Sequence, residues 1–213
     1  MTWLRRPELV LLVLLAVACM GVWSFVLGPK VEEIELAASP EGKVAALVEA
    51  IPEKDYSLDP RTKTSLCEVA GPLPDHACTP GAVFATTTAE TICVTGYTKT
   101  VRSVSTKLRK QLFAAYGVSY PPPSGAYELD HLVPLELGGN NDAANLFPEA
   151  AAPNPGFKDK DVVENYLHDE VCAGRLGLRA AQKQIADDWL SVYRALDQST
   201  IDFYKQKFRS WAN

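Results

Sequence analysis

The 213-residue sequence has no Cys-x-x-Cys pair, no internal repeat, no low-complexity tract and no surplus of positive charge. Without the cysteine pair, a structural zinc site of the common spacing has no support. Without a repeat, a stacked array has none. The formal net charge of −5 argues against a protein that coats nucleic acid along its whole surface, because counterion release needs many Lys and Arg in one place. Length is limiting as well: there is room for one membrane segment and one domain of about 100 to 200 residues, and two large domains would be crowded.

Charge is also missing locally. The twenty residues Leu9 to Gly28 carry none, and as a helix they are long enough to cross a hydrocarbon core of about 30 Å. Arg5 and Arg6 precede this run and Glu32, Glu33 and Glu35 follow it, so the positive-inside bias predicts a cytoplasmic N-terminus and export of the remainder. The apolar residues continue past the small-residue site at Ala16 to Ala18. An uncleaved single-pass anchor at the cell membrane is therefore expected, with secretion after signal cleavage as the rival.

Export gives the remaining cysteines, Cys67, Cys78, Cys93 and Cys172, a meaning, because disulfides persist in oxidising compartments. Four cysteines allow three pairings. The expected one is a local Cys67–Cys78 loop with a long Cys93–Cys172 bridge, the alternative being that some stay free and buried.

Three regions follow: a cytoplasmic stub and anchor over 1–28, a juxtamembrane linker over 29–75, and a domain over 76–213. Prolines at 29, 40, 52, 60, 72 and 74 mark the linker, and Val44, Leu47, Val48 and Ile51 predict a short amphipathic helix within it. In the domain, Ala82–Thr87 and Thr91–Val94 read as strands. Ser105 caps a helix with Leu108, Leu112 and Ala115 on one face and Gly117 as its stop. Apolar periodicity predicts helices over Phe157–Cys172, Arg179–Leu196 and Ser199–Trp211, and their aromatic stripes read as core.

The stretch Tyr127 to Pro148, YELDHLVPLELGGNNDAANLFP, reads as a hairpin. Glu128-Leu129-Asp130 alternates as a strand, Gly138-Gly139 permits a positive-φ turn, and Asn140, Asn141 and Asp142 suit a loop. Strict alternation sends Asp130 and His131 to opposite faces, so a shared site requires a twist or bulge.

The ordered set Asp130-His131-x-x-Pro134-Leu135, Gly138-Gly139, Asn145-Leu146-x-Pro148 resembles the HNH endonuclease superfamily, and more loosely its extracytoplasmic bacterial members over Cys93 to Trp189. The resemblance implies an α+β fold: a ββα-metal hairpin and helix packed with additional helices, behind the N-terminal transmembrane helix. It implies phosphodiester hydrolysis assisted by one divalent ion, Mg²⁺ first, with Mn²⁺, Ca²⁺, Zn²⁺ and Ni²⁺ as alternatives. His131 would be the general base and Asp130 a metal ligand. Asn145 would tie the hairpin loop to the site. Asn154 is the implied second ligand, and His168 is its rival. Glu164 lies four residues before His168 on one helix face, as a hydrogen-bonded or supporting partner.

Five bases and no acid lie between Thr91 and Tyr127: Lys99, Arg102, Lys107, Arg109 and Lys110. With Lys158 and Lys160 at a helix start, they form the expected nucleic-acid surface. No segment resembles a base-reading helix, so little sequence specificity is expected. The expected activity is a membrane-tethered extracytoplasmic endonuclease acting on DNA, with RNA less favoured. The alternatives are an inactive nuclease-like module that binds nucleic acid or a protein partner, and a disulfide-stapled envelope interaction protein.

Overall fold

A computed structural model describes residues 54–209. The predicted anchor at 9–28 and the predicted helix at 44–51 lie outside the described residues. No helix among the described residues is long and apolar enough to cross a membrane.

The architecture is α+β, with two small antiparallel sheets and six helices in the described part. β1 (Tyr56–Ser57) pairs with β2 (Ala82–Val83). Three helices follow: α1 (Ala89–Ile92), α2 (Tyr97–Val101) and α3 (Thr106–Ala115). The second sheet is the hairpin β3 (Tyr127–His131) and β4 (Leu146–Ala150), and then come α4 (Phe157–Cys172), α5 (Leu178–Ala195) and α6 (Gln198–Arg209).

The hairpin lies between helices. In β3 and β4, Leu129 and Leu146 pack with Leu112 and Phe113 of α3. Phe147, on the opposite face of β4, joins Val163, Leu167 and Val171 of α4 and Ala181, Ile185 and Trp189 of α5 in the main core. Period-2 alternation in the strands thus separates two apolar clusters. A third cluster, Val162, Ile201 and Tyr204, docks α6.

Local chemistry explains most boundaries. Ser105 caps α3 by accepting from Leu108 N–H at 3.1 Å, and Gly117 takes a left-handed φ of 66° two residues past its end. Helix α5 bends at Asp188, whose backbone leaves the helical region. Its carboxylate then accepts from Ser191 N–H at 3.1 Å and restarts the spiral as a fresh cap.

Three expectations are corrected. Thr91–Val94 is not a strand, because Thr88 and Thr91 form a reciprocal capping box that opens α1. Of the predicted strand at Ala82–Thr87, only Ala82–Val83 pairs. The stretch 54–75, read as linker, belongs to the domain. It carries β1, and Cys67 is buried, bonded to Cys78 and hydrogen-bonded through its N–H to Ala115 C=O at 2.9 Å. Its prolines shape an ordered loop. Both expected disulfides, Cys67–Cys78 and Cys93–Cys172, are formed.

Candidate active site at the end of the hairpin

The hairpin holds five consecutive residue pairs, from Tyr127 opposite Ala150 to His131 opposite Leu146, without a bulge. Alternation therefore persists. Glu128 and Asp130 share a face with Phe147 and Glu149, and His131 lies on the other face with Leu129 and Leu146.

The loop beyond His131 is fixed by Asn145, which is fully buried. Its Nδ2 donates to Val133 C=O and Asn140 C=O, both at 2.9 Å, and its Oδ1 accepts from Val133 N–H at 2.9 Å and Ala82 N–H at 3.2 Å. The two glycines are needed for different reasons. Gly138 has φ 78°, whereas a Cβ on Gly139 would lie 1.7 Å from Val133 O. The first supplies conformation and the second supplies room for a close backbone approach.

On the Asp130 face, the organising group is Lys160 of α4, with no exposed surface. Its ammonium donates to Asp130 Oδ2 at 2.6 Å, to His131 C=O at 2.7 Å and to Glu164 Oε1, and lies 3.9 Å from Glu149 Oε2. Asp130 Oδ1 accepts from His131 N–H at 2.8 Å. Burial alone would raise the Asp130 carboxyl; the Lys160 charge overcomes it and holds Asp130 below the usual carboxylate range. Burial would likewise depress Lys160, but Asp130, Glu164 and Glu149 keep it charged.

One ammonium does not satisfy every acid around it. Burial pushes Glu149 and Glu164 well up against the pull of Lys160. Neither Glu149 oxygen has a hydrogen-bond partner. Burial, then repulsion from Asp130, lifts Glu128 to about 7 and Asp161 to about 6. Burial lifts Glu136 to about 7, with His168 opposing. This collection of oxygen donors, held in a poorly solvated place with too little positive charge, fits a hard divalent cation in kind.

On the other face, burial lowers His131 to about 4, with Asp130 and Asn141 acting to raise it. The imidazole is therefore neutral at neutral pH. Its Nε2 lies 3.2 Å from Asn141 Oδ1.

The expected site residues thus separate. Asp130, Glu164 and Lys160 come together. Lys160, expected on a nucleic-acid surface, is not at the surface at all, because it is fully buried and enclosed by acids. Asn154 is exposed in the turn before α4, and the side chains that gather at Asp130 are Lys160, Glu164 and Glu149 instead. His168 is directed elsewhere: its Nε2 lies 3.2 Å from Ile92 O and 3.5 Å from Cys172 Sγ. Glu164 pairs with Lys160, not with His168. Of the other expected bases, Lys99, Arg102, Lys107, Lys110 and Lys158 are exposed, and Arg109 is half-buried.

Sequence reasoning missed Glu149 and Asn141. Glu149 was accessible through alternation, since it lies two residues beyond Phe147 and opposite Glu128. Asn141 looked like an ordinary loop residue. Among the described residues, the groupings whose potential ligand atoms lie within 4.8 Å of one another are elsewhere: Cys93, His168 and Cys172, whose sulfurs form the disulfide, and Asp59, His76 and Asp187. Comparison with family models, curated proteins and solved structures yields no match for the chain.

Proposed function

We propose that the chain is a metal-dependent endonuclease of the HNH type that hydrolyses phosphodiester bonds, in DNA before RNA, with little sequence preference. The observation that carries this reading is the hairpin end itself, where an ionised Asp130 and a neutral His131 follow one another on opposite strand faces, joined by the His131 N–H to Asp130 bond, and further oxygen donors converge on Asp130 from α4 and β4.

His131 is unprotonated at working pH and so accepts a proton from the attacking water. Asp130 and Glu164, with Asp161 and Glu128 at the margin, would hold a divalent ion, most simply Mg²⁺. Such an ion supplies charge for the phosphate and for the leaving oxygen. Asn145 keeps the loop after His131 rigid, which preserves the position of the base. The exposed Lys99, Lys107, Lys110 and Lys158 contribute phosphate contacts that position the substrate. The uncharged run at 9–28 tethers this activity outside the cytoplasm, in keeping with two disulfides.

A second reading has one observation in its favour. Lys160 already engages Asp130 and Glu164, as expected of a module that binds nucleic acid or a protein partner without cutting. Plasmid nicking by the purified full-length chain separates the two. Nicking with Mg²⁺, none with chelator and at least about 100-fold less in His131→Ala are expected of the enzyme. Binding without nicking under Mg²⁺, Mn²⁺, Ca²⁺, Zn²⁺ and Ni²⁺ alike would refute it.

A further inference from the structure

Asn141 is a loop residue with an unusual number of engagements. Its Nδ2 donates to Val101 C=O at 2.8 Å and its Oδ1 accepts from Ser103 N–H at 3.1 Å, across sequence separations of 40 and 38 residues. These two bonds grip the backbone on either side of Arg102, the residue that ends α2. They also settle the orientation of the amide, because the nitrogen must face the carbonyl and the oxygen must face the N–H.

That orientation decides the state of His131. The atom of Asn141 facing His131 Nε2 at 3.2 Å is the oxygen, an acceptor only. An imidazole facing that oxygen carries a proton on Nε2, and Nδ1 is the nitrogen left to accept one. Nδ1 is then the atom that can take a proton from water.

Arg102 follows from the same grip. It is exposed. Its charge adds to the lowering of His131, which burial dominates, and opposes the rise of Glu128. An exposed guanidinium on a segment that Asn141 clamps to the hairpin loop suits a planar phosphate oxygen pair. The other exposed bases lack such a tether to the hairpin loop.

We propose that Asn141 is a positioning residue that fixes His131 as the Nε2–H tautomer and holds Arg102 beside it, where the guanidinium contacts the phosphodiester under attack. This rests on the nuclease reading above. Arg102 thereby differs in kind from Lys158, which contributes only to general phosphate affinity.

The test uses the full-length chain. Nitrogen-15 NMR reads the tautomer, and the His131 signal is assigned by its absence in His131→Asn, since the chain has three histidines. The wild type is expected to be protonated at Nε2 alone, and Asn141→Ala to show a mixture. Arg102→Ala should lower kcat about 100-fold, as expected on losing one fixed donor to a developing charge. Its KM should change little, and Arg102→Lys should recover only part of the loss. Lys158→Ala should alter KM and salt dependence instead. Combined with Asn141→Ala, Arg102→Ala should add little further loss.

Should Asn141→Ala fail to fold, the exposed Arg102 variants and the wild-type tautomer still decide. A wild-type His131 protonated at Nδ1, or Arg102→Ala behaving like Lys158→Ala, overturns the proposal while the nuclease reading stands. If the wild type cuts nothing, the nuclease reading falls. Duplex binding in chelator then remains as the check on Arg102: it should weaken for Lys158→Ala and change little for Arg102→Ala, and the reverse overturns the proposal.

Discussion

Lys160 shows most clearly how a single side chain reverses its meaning between sequence and structure. At the first turn of a helix, a lysine reads as an exposed phosphate contact; in the fold it is the one cation inside a nest of acids. Nothing in its neighbours announces this, because the acids come from β3, β4 and α4 and meet only after the hairpin closes. Lys160→Met leaves Asp130 and Glu164 buried without a counter-charge, a change that typically costs about 3–5 kcal/mol. Urea unfolding should register that loss, and added Mg²⁺ should recover part of it. His131 gives a pH signature of known sign. Its folded value of about 4 lies below the unfolded value of about 6.5. The stability from burying it neutral is therefore present above about 6.5 and lost as pH falls toward 4. Between pH 7.5 and 5 the wild type should lose about 2 kcal/mol more than His131→Asn in denaturant melts.

Among the elements, the four longer helices were the most legible, whereas α1 was read as a strand and α2 was not foreseen. α3 announced itself through Ser105 and Gly117, and α4 through its apolar period. The hairpin was also readable, since its alternation and glycines are local signals. Its loop was less so: both glycines looked like turn residues, yet only Gly138 needs its φ, and Gly139 is required by a carbonyl 1.7 Å from any added Cβ. Gly139→Ala should accordingly cost more than about 4 kcal/mol or prevent folding, which circular-dichroism melts will show. The short strands failed as sequence signals because Thr91 favours a cap as readily as a sheet. Helix α6 is held through Asp159, which accepts from Tyr193 O–H at 2.9 Å and pairs with Lys205 at 2.8 Å. Burial opposes the ionisation of Asp159, but Lys205 and its hydrogen bonds keep its carboxyl below the usual range. This stabilisation is present above about pH 4 and fades below it. Asp159→Asn should speed amide exchange in α6 at pH 7 with little effect in α4.

At the scale of the whole chain, composition anticipated an acidic molecule, and of the seven bases expected at the surface five are exposed. It did not anticipate that the acids concentrate at the hairpin end, because a net charge carries no coordinates. Several carboxyls there are pushed upward by burial and mutual repulsion, so a divalent ion should stabilise the fold as well as assist chemistry. At 100 times its dissociation constant, Mg²⁺ should add about 2.7 kcal/mol at pH 7.5, seen as a rise in melting temperature that Asp130→Asn abolishes. The boundary at 75 was misplaced because prolines in a cysteine-closed loop look the same as prolines in a tether.

The Cys93–Cys172 bridge spans 79 residues, and the loop it closes contains the whole hairpin and α4. In the chain-entropy account such a closure contributes about 4–5 kcal/mol, comparable to the entire stability of a marginal domain. The proposed activity should therefore depend on oxidation: a reduced copy should be inactive, and an oxidised one active. The expected sign is loss of nicking on treatment with reductant and its return on reoxidation. On the nuclease reading proposed above, redox chemistry alone would then keep an unexported copy inactive.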